Sequence, residues 1–116
     1  MKSIKERRLH PRIDHRLPLN LAVNGFDFST STHNISSVGV YCHVNKYMPP
    51  FTKIAVKLNL PNKEQAGKNT IVECKGVVVR TADETDGGFN LAIFFNEIHD
   101  TQRKKIAQYL SQFLPQ

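Results

Sequence analysis

The feature that most constrains this chain is a succession of short apolar runs with a spacing of two, each stopped by turn-forming residues. Leu17, Leu19, Leu21 and Val23 alternate with Pro18, Asn20 and Ala22. That is the pattern of a strand with one buried face. Pro18 lacks an N–H, so it belongs at an edge or at the strand's start. Asn24-Gly25 follows, the dipeptide that best fits a two-residue hairpin turn, because both central residues of a type I′ turn need positive φ. Phe26 and Phe28 open the returning strand, which reaches Asn34; both aromatics read as core because they flank Asp27. Val40, Cys42 and Val44 define a third strand, and Ile54, Val56, Leu58 and Leu60 a fourth. Residues 70–80 form a long strand in which Gly76 marks a bulge or bend, and residues 89–95 are apolar apart from Asn90.

From Asp100 the period changes. Ile106, Tyr109, Leu110, Phe113 and Leu114 fall at helical offsets, and Asp100 or Thr101 is placed to cap the helix start. Six or seven short strands joined by turns predict a barrel, and the amphipathic helix must cover an open end or face of it. A chain of 116 residues has the size of one domain. The expected division is a flexible basic arm over residues 1–16 and a single barrel with its helix over residues 17–116.

Charge is concentrated in that arm. Lys2, Lys5, Arg7, Arg8, Arg12 and Arg16 face only Glu6 and Asp14, whereas residues 17–99 hold seven bases and seven acids, within a total of +6. A cationic arm ahead of a neutral body implies an anionic partner. A long nucleic acid is the weaker choice, because a groove that tracks a strand needs basic residues on the barrel itself. No apolar targeting segment follows the N-terminus and no run approaches ~20 apolar residues, so no membrane insertion is expected and a cytoplasmic location is. Cys42 and Cys74 sit in strand-like runs and read as reduced core residues. His33 and Ser36 have no third partner for nucleophilic catalysis. His10, His15, Cys42, His43 and Cys74 lack metal-site spacing. No catalytic residue, metal ligand or cofactor is assigned.

Two short patterns remain. Arg8-Leu9-His10-Pro11-Arg12 is an RxxxR with Arg7 directly before it, and Asn34-Ile35-Ser36-Ser37-Val38-Gly39 has the form (Asp/Asn)-x-Ser-x-x-Gly, 22 residues beyond Arg12. Each alone is common. Together, in this order, followed by strands and a closing helix, they resemble the PilZ domain family. Gly88-Phe89-Asn90-Leu91-Ala92-Ile93-Phe94 looks like the family's later Gly-led apolar strand, so the resemblance covers nearly the whole chain. It implies a mainly β fold, a six-stranded antiparallel barrel with a C-terminal helix. It also implies a receptor for cyclic di-GMP without catalytic activity, signalling to a protein effector.

The residue types suit that ligand. Arginine offers a planar fork of donors that grips a phosphate or the O6/N7 edge of guanine, and can lie flat on a guanine face. Asn34 supplies an acceptor for guanine N1–H and N2–H, or its amide donates to O6; Ser36 donates to a phosphate or base, or closes a local turn; and Gly39 lets the backbone approach the ligand or adopt positive φ. Arg7, Arg8, Arg12, Asn34, Ser36 and Gly39 are therefore the expected ligand-binding residues. Within the family, an arginine at the position of Arg7 resembles the form that takes a stacked pair, so two molecules per chain are expected. The alternatives are a small basic nucleic-acid-binding barrel and a PilZ-like protein adaptor that binds no nucleotide.

Overall fold

A computed structural model describes residues 10–62 and 67–114. Six strands precede one helix: β1 Pro18–Val23, β2 Phe26–Ile35, β3 Gly39–Val44, β4 Lys53–Pro61, β5 Asn69–Asp83, β6 Phe89–Glu97 and α1 Asp100–Ser111. The strands close into a barrel in the order β1-β2-β3-β6-β5-β4. Every neighbouring pair is antiparallel. Closure leaves no exposed sheet edge, which answers the edge problem of a small β protein. Because β1 pairs on both sides, Pro18 sits at its start, opposite Ser31, and not on an edge.

The predicted hairpin is present. Asn24 and Gly25 have φ of 50° and 83°, and Val23 pairs with Phe26 across the two-residue loop. The inward faces follow the alternation: Leu19, Leu21, Val56, Leu58, Val72, Val78, Leu91 and Ile93 form the interior with Cys42. Both cysteines are free thiols; burial pushes Cys42 up to about 12 and Cys74 up to about 11. Phe28 packs partly against the core, but Phe26 is exposed at the hairpin tip with the Lys46 ammonium 4.9 Å from its ring centroid. Alternation around Asp27 suggested core for both. The tight turn instead puts Phe26 beyond the last interior layer.

Each barrel end has its own plug. At the end reached by Val44, the β3–β4 connection buries Met48 and is tied down by the Phe51 N–H, which donates to the Val78 carbonyl at 2.7 Å, and by the Thr81 hydroxyl, which donates to the Met48 carbonyl at 2.5 Å. At the end reached by Ile35, α1 buries Ile106, Tyr109 and Leu110. The Lys105 ammonium donates to the Ile71 carbonyl at 3.0 Å, and Gln102 accepts from the Glu73 N–H at 2.9 Å, fixing α1 to β5. The helix N-cap is His99, whose side chain makes no capping bond, and not Asp100 or Thr101. Asp100 is already helical and acts instead as first-turn negative charge against the exposed N–H groups.

The expected arm divides. Residues 1–9 lie outside the described residues. From Ile13 the chain joins the barrel: the Ile13 N–H donates to the Ile35 carbonyl at 2.9 Å and the Ile35 N–H returns a bond at 3.0 Å. Ile13 and Leu17 are buried, and Thr32 accepts from the Leu17 N–H while donating to the His15 carbonyl. Among the described residues no helix is long and apolar enough to cross a membrane.

Candidate functional site

The Asn34–Gly39 motif forms the turn that joins β2 to β3, and two features of local chemistry shape it. The Ser36 hydroxyl oxygen accepts from the Val38 N–H at 3.2 Å, a local turn of the kind serine favours. The Ser36 N–H donates to the Gly39 carbonyl at 2.9 Å. The turn is then stitched to the barrel by the Phe95 N–H, which donates to the Val38 carbonyl at 2.8 Å, and to the basic segment by His10 Nδ1 and Ser37 Oγ at 3.1 Å. Ser36 is buried, and the bond its hydroxyl oxygen accepts from Val38 holds the side chain in place.

A β-bulge sets the direction of Asn34. Thr32 faces Cys42, but Asn34 faces Tyr41, so His33 is an extra residue in β2. In an unbroken ladder His33 would oppose Tyr41 and Asn34 would oppose Val40, inside the barrel. The extra residue shifts the phase by one. Ile35 turns into the core at 0 % exposure, and Asn34 turns outward beside Tyr41. The His33 and Tyr41 rings lie 5.8 Å apart.

Gly39 has a simple steric reason. It is not among the residues with positive φ. A Cβ there would collide with the backbone carbonyl oxygen of Ile93, so glycine lets β3 and β6 approach closely under the site. Positive φ, one of the two roles expected for this position, is absent, and the close approach seen here is to β6 rather than to a ligand.

These residues converge. A cavity of about 120 Å³ on the outer wall is lined by Arg12, Asn34, Ser36 and Gly39, together with Tyr41, Val79, Ala92 and Phe94 among others. The Ile13–Ile35 bridge explains the arrival of Arg12, since it sets the basic segment antiparallel to the end of β2. Arg7 and Arg8 lie outside the described residues. The residues missed in the sequence are those supplied by register: Ala92 opposes Tyr41, and Phe94 opposes Gly39. Val79 is the extra residue of a second bulge, between Val78 and Arg80. Outward-facing apolar side chains on strands that alternate elsewhere were the available signal.

A larger concavity, about 910 Å³, lies on the β1–β4–β5 wall and contains none of the motif residues. Its lining carries Lys57 and Lys75 against Asp27, Glu73 and Glu97, with Lys57–Glu73 at 3.6 Å and Lys75–Glu97 at 4.0 Å. Its cations are already matched by acids, which makes it a poor anion site. The smaller cavity has Arg12 and no carboxylate in its lining, and the chemistry favours it despite its size.

The fold and site thus define a class: a small closed antiparallel barrel with a cleft on its outer wall, lined by apolar and neutral polar side chains and by Arg12. The PilZ domain model matches residues 6–112, and the chain belongs to that family. No curated protein matches the chain by sequence. Among solved structures, the chain is similar to the Bacillus subtilis inhibitor of motility MotI/DgrA, with 19 % identity, TM-score 0.79, and coverage of 91 % of this chain and 50 % of that one. It is also similar to the PilZ domain with c-di-GMP of YcgR from Escherichia coli, with 11 % identity, TM-score 0.64, and coverage of 90 % and 88 %. The K. pneumonia MrkH–c-di-GMP complex is a third, with 14 % identity, TM-score 0.68, and coverage of 91 % and 52 %. The chain therefore spans about half the length of the first and third of these structures.

Proposed function

We propose that the chain is a cyclic di-GMP receptor that passes the signal to a protein effector. The observation that carries this reading is the convergence of Arg12, Asn34, Ser36 and Gly39 on one cavity free of carboxylates. Arg12 supplies a bidentate donor for phosphate or for a guanine edge. Asn34, turned outward by its bulge, offers an amide carbonyl to guanine N1–H and N2–H or its amide N–H to O6. Ser36 adds a fixed hydroxyl. Membership of the PilZ family and the ligand named in two of the similar structures support the same ligand class. Arg7 and Arg8 complete the set, Arg8 with Arg12 on the first molecule and Arg7 on a second, giving two molecules per chain. The role is binding and relay, with no catalytic step.

Isothermal titration with cyclic di-GMP tests this, with GTP and a DNA oligomer as controls. The expected result is saturable binding at a ratio near two, weakened at least tenfold by Arg8→Ala or Arg12→Ala, and moved toward one by Arg7→Leu. A tenfold loss corresponds to about 1.4 kcal/mol, within the ~1–3 kcal/mol of a good bidentate guanine contact. Unchanged affinity in both alanine variants removes the arginines from the site. Steeply salt-dependent binding to the DNA oligomer, with none to the dinucleotide, replaces the reading with a nucleic-acid-binding barrel.

A further inference from the structure

Of the three register shifts in the barrel, one falls at Gly76 and the other two, at His33 and Val79, border the cavity that holds Arg12 and Asn34. The β2 bulge delivers Asn34 to the outer wall, opposite Tyr41. Register carries that row across the sheet, because Tyr41 opposes Ala92 and Ala92 opposes Arg80. Asn34, Tyr41, Ala92 and Arg80 therefore form one outward row over four strands. At ~4.8 Å per strand spacing the row runs about 14 Å along the curved wall.

The β5 bulge is what places Arg80 there. Val78 faces Ile93 in the interior, and half-buried Thr81 opposes the buried Leu91. A regular strand has room for one or three residues between two inward ones. The bulge puts two there, Val79 and Arg80, and both are exposed. Among the described residues, no hydrogen bond or ion pair engages the Arg80 guanidinium. Beside it, Val79 is 52 % exposed and Phe94 is 45 % exposed, and both line the cavity that holds Arg12 and Asn34. A free cation next to an uncovered apolar surface is the complement of a nucleotide, whose phosphate needs the charge and whose purine face needs the platform. Bulges recur next to functional sites because they re-aim side chains in this way.

We infer that the ligand site extends across the barrel wall to the β5 bulge, with Arg80 gripping a phosphate and Phe94 and Val79 forming a platform for a purine face. This rests on the receptor reading above and names binding residues outside the two sequence motifs. Arg80 is exposed and Phe94 faces outward, so substitution at either leaves the core intact.

The test is calorimetric titration of cyclic di-GMP into the wild-type protein and into Arg80→Ala, Arg80→Glu and Lys104→Glu. Lys104→Glu makes the same charge change on exposed α1. Arg80→Ala is expected to weaken binding about tenfold, Arg80→Glu more, and Lys104→Glu less than twofold. The chain has no tryptophan, so Phe94→Trp places a single indole on the platform. Its emission is expected to be quenched as ligand saturates the site. Wild-type affinity in Arg80→Glu overturns the role of Arg80, as does an equal loss in Lys104→Glu. Emission unchanged at saturation overturns the platform. A wild-type protein that does not bind overturns the receptor reading and this extension together, whereas wild-type binding with unaffected variants overturns the extension alone.

Discussion

Phe51 is the residue most at odds with its own backbone. Its φ is 75°, in the left-handed region, where a side chain with a Cβ is disfavoured by about 1–2 kcal/mol. Its side chain is 83 % exposed, so burial returns almost nothing. The conformation persists because the surrounding backbone demands it: the Phe51 N–H donates to the Val78 carbonyl, and the Val78 N–H donates to the Thr52 carbonyl at 2.9 Å. Glycine can keep both bonds and relax the φ penalty. It also adds backbone entropy to the unfolded chain, worth roughly 0.5–1 kcal/mol in the other direction. Phe51→Gly is therefore expected to raise stability by about 0.5–1 kcal/mol in urea unfolding, with an unchanged m-value. A loss of stability would show that the phenyl ring makes a contact worth more than the strain.

At the scale of elements, the strands obey alternation until a bulge intervenes, and two of the three bulges, at His33 and Val79, border the candidate site. Inserting one alanine after His33 would advance the phase of β2 by one more residue. Asn34 would then point at Val40 in the interior and Ile35 would point into water. Exposing one fully buried isoleucine alone costs about 1.5–3 kcal/mol, and the buried amide adds to it. Deleting His33 instead restores a regular ladder that still turns Asn34 outward and Ile35 inward. Urea unfolding is expected to show a loss of at least 2 kcal/mol for the insertion and a far smaller change for the deletion; equal losses would mean that register is not what the bulge controls. The same distinction explains what the sequence could reveal. Leu19, Leu21, Val56 and Leu58 disclosed their strands because period two is a local property. Arg12, Asn34, Ser36 and Gly39 could be picked out because two short motifs hold them in a fixed order. Val79 and Phe94 leave a fainter trace, an apolar side chain at an outward position, because cross-strand register brings them to the cavity and a bulge at Val79 is not encoded in a short window. Asp100 lies in the first turn and not at the cap for a related reason: a residue one position inside the helix has the same composition signal as one at its edge.

For the whole molecule, the decisive arrangement is that one segment touches both the site and the closing helix. Arg12 lines the cavity, Ile13 is bonded to Ile35, and Thr32 holds the backbone of His15 and Leu17. His15 then reaches α1: its Nδ1 lies 2.7 Å from the Tyr109 hydroxyl, and its ring meets that of Phe113 edge-on at 4.4 Å between centroids. Burial raises the Tyr109 phenol above its ordinary value, which keeps its proton in this contact. A ligand that grips Arg12 therefore restrains residues 13–17, and these restrain the last turn of α1. Ligand at a hundredfold excess over Kd adds about 2.7 kcal/mol to global stability whatever the route. The route itself is visible only locally, in opening events smaller than global unfolding. Hydrogen exchange with and without cyclic di-GMP is the measurement. In the wild-type protein, saturating ligand is expected to slow amide exchange at residues 109–114 by more than it slows residues of β4, which lie on the opposite wall. In His15→Ala the extra slowing at 109–114 should vanish while titration still gives affinity within about threefold of wild type. If α1 is slowed equally in both proteins, the helix senses the ligand through β5 and β6, and the His15 contact serves only to seal the barrel end.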